Sequence, residues 1–199
     1  MTHQGPTSVL AVESSGGAHT HGDREGNASD RIRTAISRSL RALELRPGVG
    51  RGTATTRARL DEGLRCVVTD GPWTLMVDMS PKVGGGDSAP NPGVLARGAL
   101  ASCLAVGYAS LAARLGVELQ GIDVEVEADY DLRGELGLGD VRPGYLEVRY
   151  RAVLHPATGV SEAEIDRVVA LADSHSSLRD VFANGVPLRR VDRTEGGTT

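Results

Sequence analysis

Aromatic side chains are scarce in this chain of 199 residues: one Trp, one Phe and four Tyr make up 3% of it. A single-strand nucleic-acid channel or an RNA-recognition sheet needs stacking rings, so both are excluded. Cysteine is scarcer still. Cys66 and Cys103 are too few for a disulfide scaffold or an all-cysteine zinc site. An excess of basic charge is missing too. The 22 Lys and Arg stand against 26 Asp and Glu, a formal net charge of −4, which argues against a nucleic-acid or anionic-membrane binder. Long apolar runs are absent. The longest stretch without a charge, Gly98 to Ala113, has 16 residues between Arg97 and Arg114 and is rich in Ala, Gly and Ser. A spanning helix needs about 20 mainly apolar residues, so this one reads as a buried helix of a soluble, cytoplasmic protein with no membrane partner. Met1 to Gly22 has no basic region followed by an apolar run, so it is not read as a secretory signal.

Hydrophobic residues make up 40%, enough for one ordinary core. Residues 1–28 hold few large apolar groups and are expected to be a disordered tail, with His3, His19 and His21 solvated rather than metal-bound. Residues 29–46 read as an amphipathic helix capped by Ser29. Ile32, Ile36, Leu40 and Leu43 recur at helical spacing among Arg31, Arg33, Arg38 and Arg41, a face suited to docking on the rest of the chain or on a second subunit. Three short strands follow, over Thr53–Leu60, Leu64–Thr69 and Trp73–Met79, divided by turns at Gly63 and at Asp70-Gly71-Pro72. Ser80–Gly93 reads as a flexible loop. Its Gly84-Gly85-Gly86 lacks the Gly-Lys-Ser/Thr of a phosphate loop.

A long central helix is expected over Val94–Leu115. Leu119–Leu132 alternates apolar residues with Asp123, Glu125, Glu127, Asp129 and Asp131, the mark of a half-buried strand with a solvated acidic face. Tyr145–Leu154 alternates too, and its Arg149 and Arg151 are expected to pair across to those acids. Ser161 and Glu164 form a capping box opening a helix to about His175. A short helix is expected over 177–183, a last strand over Val186–Val191 and a loose tail over 193–199. Strands, long helix, strands, helix and strand define an α+β class.

No hydrolase elbow, zinc-protease motif or dinucleotide fingerprint is present, which leaves cysteine as the nucleophile candidate. A cysteine in an Ala-rich helix is by itself a small hydrophobe. The stretch Asn91-Pro92-Gly93-Val94-Leu95-Ala96-Arg97-Gly98-Ala99-Leu100-Ala101-Ser102-Cys103, however, resembles the central helix of the OsmC/Ohr family, the osmotically inducible and organic hydroperoxide resistance proteins. The Asn-Pro opening, the spacing to Cys103, the small residues Ala105, Gly107 and Ala109, and the run Ala113-Arg114-Leu115-Gly116-Val117 carry the likeness. It extends over about residues 50–192. It implies antiparallel sheets around a long helix in an intertwined homodimer, with close helix approach at Ala101, Ala105 and Ala109. It also implies a thiol that reduces organic hydroperoxides or H2O2 with no metal or cofactor.

Two departures stand out. The family's second cysteine, which closes a disulfide with the first, is replaced by Ser176, so a working cycle would need an external thiol reductant. The glutamate that follows Asn-Pro in the hydroperoxide-resistance branch is Gly93 here. That glutamate positions an arginine that lowers the thiol pKa. Arg51, Arg57, Arg59, Arg65 and Arg97 are the candidates for that arginine, and Arg97, about 240° round the helix from Cys103, faces elsewhere unless it reaches the partner subunit. Cys103 lies about three turns into its helix, beyond the reach of that helix's dipole, so reactivity calls for a tertiary Arg or His. His175 is either that group or a C-terminal His stabilised by its own helix. Cys66 is expected to face the core, where it could resolve Cys103 only at a Cα separation below about 7 Å. The alternative function is a catalytically degenerate homodimer that binds a hydrophobic small molecule.

Overall fold

The charge-free stretch folds as the longest helix. α2 (Pro92–Leu115) opens on Asn91, whose side chain accepts from the Val94 N–H, with Pro92 in the first turn. It closes on Gly116 at φ 73°, a left-handed residue that favours glycine. The computed structural model describes residues 27–191. α2 is long and apolar enough by composition to cross a membrane. Here one of its faces, Leu100, Leu104, Tyr108 and Ala112, is instead buried in the protein core.

β4 (Leu119–Asp129) and β5 (Glu147–Pro156) pair antiparallel, with Val124 opposite Ala152 and Val126 opposite Tyr150. Their apolar rows meet α2 in the core. On the outer face Arg149 pairs with Glu127, Asp129 and Glu147, Arg151 with Glu125, and His155 with Asp123. Such exposed pairs set register more than stability. β4 ends at Asp129, short of the expected Leu132. The Asp131 side chain accepts from the Arg133 N–H and starts α3 (Leu132–Glu135), which turns the chain away from the sheet. β5 likewise starts at Glu147 rather than Tyr145, because the Tyr145 hydroxyl is engaged at the start of α2.

α4 (Glu162–His175) opens on the Ser161–Glu164 capping box, with both reciprocal bonds made. It buries Val168 and Ala172 in the shared core. α5 (Ser177–Asn184) follows after a single linking residue, Ser176. α1 (Ala28–Leu45) lies along α2. Asn27, not Ser29, is its cap: the Asn27 side chain accepts from the Ser29 N–H, so the helix begins one residue early. Ile32, Ile36 and Leu40 are half-buried, and Ile32 stands beside Ala109, Ala112 and Ala113 of α2.

β1 (Arg57–Glu62), β2 (Arg65–Asp70) and β3 (Trp73–Val77) form a separate antiparallel sheet in that order. β1 starts at Arg57 rather than Thr53, because its ladder ends where Arg57 meets Thr69, just before the next turn. By register Leu60, Cys66, Val68, Leu75 and Trp73 share one face. Leu60, Leu75 and Trp73 are largely exposed on it, whereas Val77, the partner of Cys66, is buried, so the half-buried Cys66 lies at the covered end of that face.

The loop expected to be flexible is pinned. The buried Asp78 carboxylate accepts from the backbone N–H groups of Met79, Gly86 and Ser88 and from the Ser88 hydroxyl at 2.7 Å. These donors hold its pKa down at about 2. Gly85 passes so close to Met79 that an added Cβ would collide with its backbone, so the triple glycine serves close chain approach. The strand expected over Val186–Val191 does not form. None of the described strands pairs with it, and Leu188 is 99% exposed. The expected tails, with His3, His19 and His21, fall on residues 1–26 and 192–199, outside the described residues.

Candidate active site at Cys103

α2 and α4 run antiparallel. Tyr108 donates to Asp173 at 2.6 Å, and one and a half turns earlier on α2 the Cys103 sulfur lies 3.9 Å from the Ser176 hydroxyl. The Ser177 hydroxyl is 3.7 Å from the same sulfur. Ser176 caps α5, accepting from the Arg179 N–H. The half-buried thiol therefore rests on the N-terminus of α5, where unpaired backbone N–H groups and the positive end of the helix dipole favour an anion.

Burial pushes the Cys103 thiol pKa up. The Leu178 N–H and the Ser177 and Ser176 hydroxyls outweigh that penalty, and the net direction is down. α5 is held in place from behind. Asp173 accepts from both Tyr108 and Tyr150, and Arg179 donates to the Tyr150 hydroxyl and the Asp173 carbonyl. Burial beside the Asp173 carboxylate raises the pKa of both tyrosines, which keeps them neutral donors.

The arginines considered from the sequence are elsewhere. Arg97 donates to the Tyr145 hydroxyl, which in turn donates to the Gly93 carbonyl. A Cβ on Gly93 would stand 3.3 Å from both the Arg97 guanidinium and the Tyr145 oxygen, so the tyrosine occupies the space a glutamate would need. Arg65 pairs with Asp61, and Arg57 and Arg59 line an exposed cleft on the three-stranded sheet. Arg51 is exposed beyond α1. Among the described residues, no ion pair or hydrogen bond joins any of these guanidiniums to the Cys103 sulfur.

His175 lies on the same groove as Cys103. Its Nδ1 lies 2.7 Å from the Leu171 carbonyl and 2.9 Å from the Ser174 hydroxyl. Cys66 and Cys103 are both free thiols. The groove has a volume of about 560 Å³ and runs between α2 and α4, with Ile36 of α1 on its wall. Sequence reasoning missed Ser177 and the Leu178 N–H. The signal lay in Ser176 acting as a cap just ahead of the expected 177–183 helix, which brings a helix N-terminus to whatever Ser176 touches.

The family model described as OsmC-like protein matches residues 84–189, which includes Asn91, Cys103 and Ser176. The chain belongs to the OsmC family. An OsmC-like protein from Mycoplasma pneumoniae superimposes with a TM-score of 0.57 at 15% identity, over 67% of this chain and 89% of that one. An organic hydroperoxide resistance protein from Legionella pneumophila gives 0.50 at 21% identity, over 67% and 91%. Identities this low speak for the shared fold alone. No curated protein matches the sequence.

Proposed function

We propose that this chain reduces organic hydroperoxides or H2O2 through Cys103 alone. The observation that carries the reading is the thiol seated on the α5 N-terminus, with a backbone N–H and two hydroxyls drawing its pKa down at the edge of an apolar groove. The Cys103 thiolate attacks the terminal peroxide oxygen and the O–O bond breaks. The leaving alkoxide takes a proton and departs as alcohol, and the sulfur becomes a sulfenic acid. Ser176, 3.9 Å away, cannot form a disulfide. An external thiol therefore condenses with the sulfenic acid, releasing water. A second thiol then attacks the mixed disulfide, restoring the Cys103 thiolate and leaving the external disulfide.

A second copy covering the apolar face of β1–β3 fits the exposed Leu60, Leu75 and Trp73 and supports the homodimer. Two free cysteines suit a reducing compartment, the cytoplasm. Peroxide consumption with several thiol reductants is expected for the native chain and lost in Cys103→Ser. Equal, negligible turnover in both overturns the reading. It would then favour the binding-protein alternative, which has its own support in that no guanidinium among the described residues is bonded to the sulfur.

A further inference from the structure

Two charges at the junction of α4 and α5 stand at the wrong ends of their helices. Asp173 lies in the last turn of α4, where unpaired carbonyls and the negative end of the dipole disfavour a carboxylate. Arg179 lies in the first turn of α5, where the positive end disfavours a cation. Neither helix gains from its own charge, so the reason for both lies across the junction. One hydroxyl joins them: Arg179 Nε donates to the Tyr150 oxygen at 3.1 Å, and Tyr150 donates to Asp173 Oδ2 at 2.9 Å. The other carboxylate oxygen takes the Tyr108 hydroxyl at 2.6 Å, and the Arg179 guanidinium also donates to the Asp173 carbonyl at 3.4 Å. Asp173 of α4 thus ties together Tyr108 of α2, Tyr150 of β5 and Arg179 of α5.

α5 needs such a tie. Its eight residues are too few to hold a helix by themselves. None of them is buried, and Leu178 is the side chain it packs against the core. Residues 185–191 beyond it are exposed and form no helix or strand. The backbone N–H of Arg179 meanwhile donates to Ser176 Oγ at 3.4 Å, which leaves the Ser176 proton for the sulfur 3.9 Å away. The side chain that the tyrosine fork grips and the N–H that turns Ser176 belong to one residue. We infer that Asp173 is a positioning residue for Cys103: through Tyr108, Tyr150 and Arg179 it fixes the first turn of α5 where the Ser176 and Ser177 hydroxyls meet the sulfur. This deepens the proposed function, and it rests on that reading for what the thiolate does though not for how it is held. The charge of the carboxylate works the other way. Acting directly, it opposes a thiolate, and its removal would ease ionisation. Acting through α5, its removal lets the donors drift and hinders ionisation. The two roles have opposite signs.

The pH dependence of Cys103 alkylation in the full-length reduced chain, with Cys66→Ser throughout, separates them. Asp173→Asn and Tyr150→Phe are each expected to move the midpoint to higher pH and to slow alkylation about three- to tenfold at a pH below it, with the plateau rate at high pH unchanged. In a chain that carries Ser176→Ala and Ser177→Ala, Asp173→Asn should move the midpoint much less, because two of the donors it places are gone. Arg114, Arg167 and His175, the titratable groups that share the groove with Cys103, are the same in every variant and so drop out of the comparison. A midpoint that stays or falls in either Asp173→Asn or Tyr150→Phe, or a rise that is equal with and without the two serines, overturns the proposal. Should Asp173→Asn fail to fold, Tyr150→Phe, which keeps every charge, decides alone. Alkylation needs no peroxide. A midpoint that rises as expected in a chain that consumes no peroxide would therefore remove the catalytic reading and keep the positioning role, and turnover with an indifferent midpoint would do the reverse.

Discussion

Two antiparallel sheets in one chain make the same kind of hydrogen-bonded ladder and meet different fates. β4 and β5 lay an apolar row on α2 and α4, and Leu154 reaches the buried core. β1, β2 and β3 pair with equal regularity, yet Leu60, Leu75 and Trp73 on their common face stay largely open. Ladders set register. Covering a face is what removes apolar area from water, and that term dominates stability. Among the described residues, the helices thus cover the inner face of their own sheet, whereas the three-stranded sheet leaves much of its apolar face in water.

Truncating the body should have the largest effect. Leu104→Ala empties a fully packed position and is expected to lower unfolding free energy by about 2–5 kcal/mol at every protein concentration, read by denaturant titration. Leu75→Asp should leave the single-chain fold near-native by circular dichroism and shift sedimentation from dimer toward monomer. A chain that unfolds on Leu75→Asp, or stays dimeric, breaks the distinction between the two sheets.

The loop joining sheet to body gives a smaller, pH-dependent effect. The folded-state pKa of Asp78, about 2, lies below the roughly 3.9 of an unfolded aspartate. Its contribution is therefore complete above about pH 4 and fades as pH falls toward 2. Amide exchange over residues 79–90 should quicken in that window before the core amides respond. Asp78→Asn should remove the pH dependence. The smallest effect concerns the sulfur: Ser177→Ala deletes one donor and should move the midpoint of Cys103 alkylation to higher pH, with Cys66 substituted to isolate the signal.

Elements with strong local signals were legible in the sequence. The Asn91-Pro92 start of α2, the alternation of β4 and β5, and the Ser161–Glu164 capping box each lie within a few residues of what they specify. Non-local features were not. Val186 and Leu188 alternate like a strand, but a strand needs a neighbour and none of the described strands lies against them. Ser80–Gly93 reads as loose by composition, yet a single carboxylate ten residues from its farthest donor orders it. Cys103 lies too far along α2 for that helix's own dipole to act on it. The positive end that reaches the sulfur belongs to α5, over 70 residues later in the chain.

The choice of neutral donors around Cys103 has a consequence across oxidation states. A guanidinium beside a thiolate loses its counterion when the sulfur is oxidised to an uncharged product, and is left stranded. An amide N–H and two hydroxyls strand nothing, because a hydroxyl can turn from donor to acceptor as the sulfur changes. The reactivity of this thiol should accordingly vary little with ionic strength, since dipoles at contact distance are screened far less than separated charges.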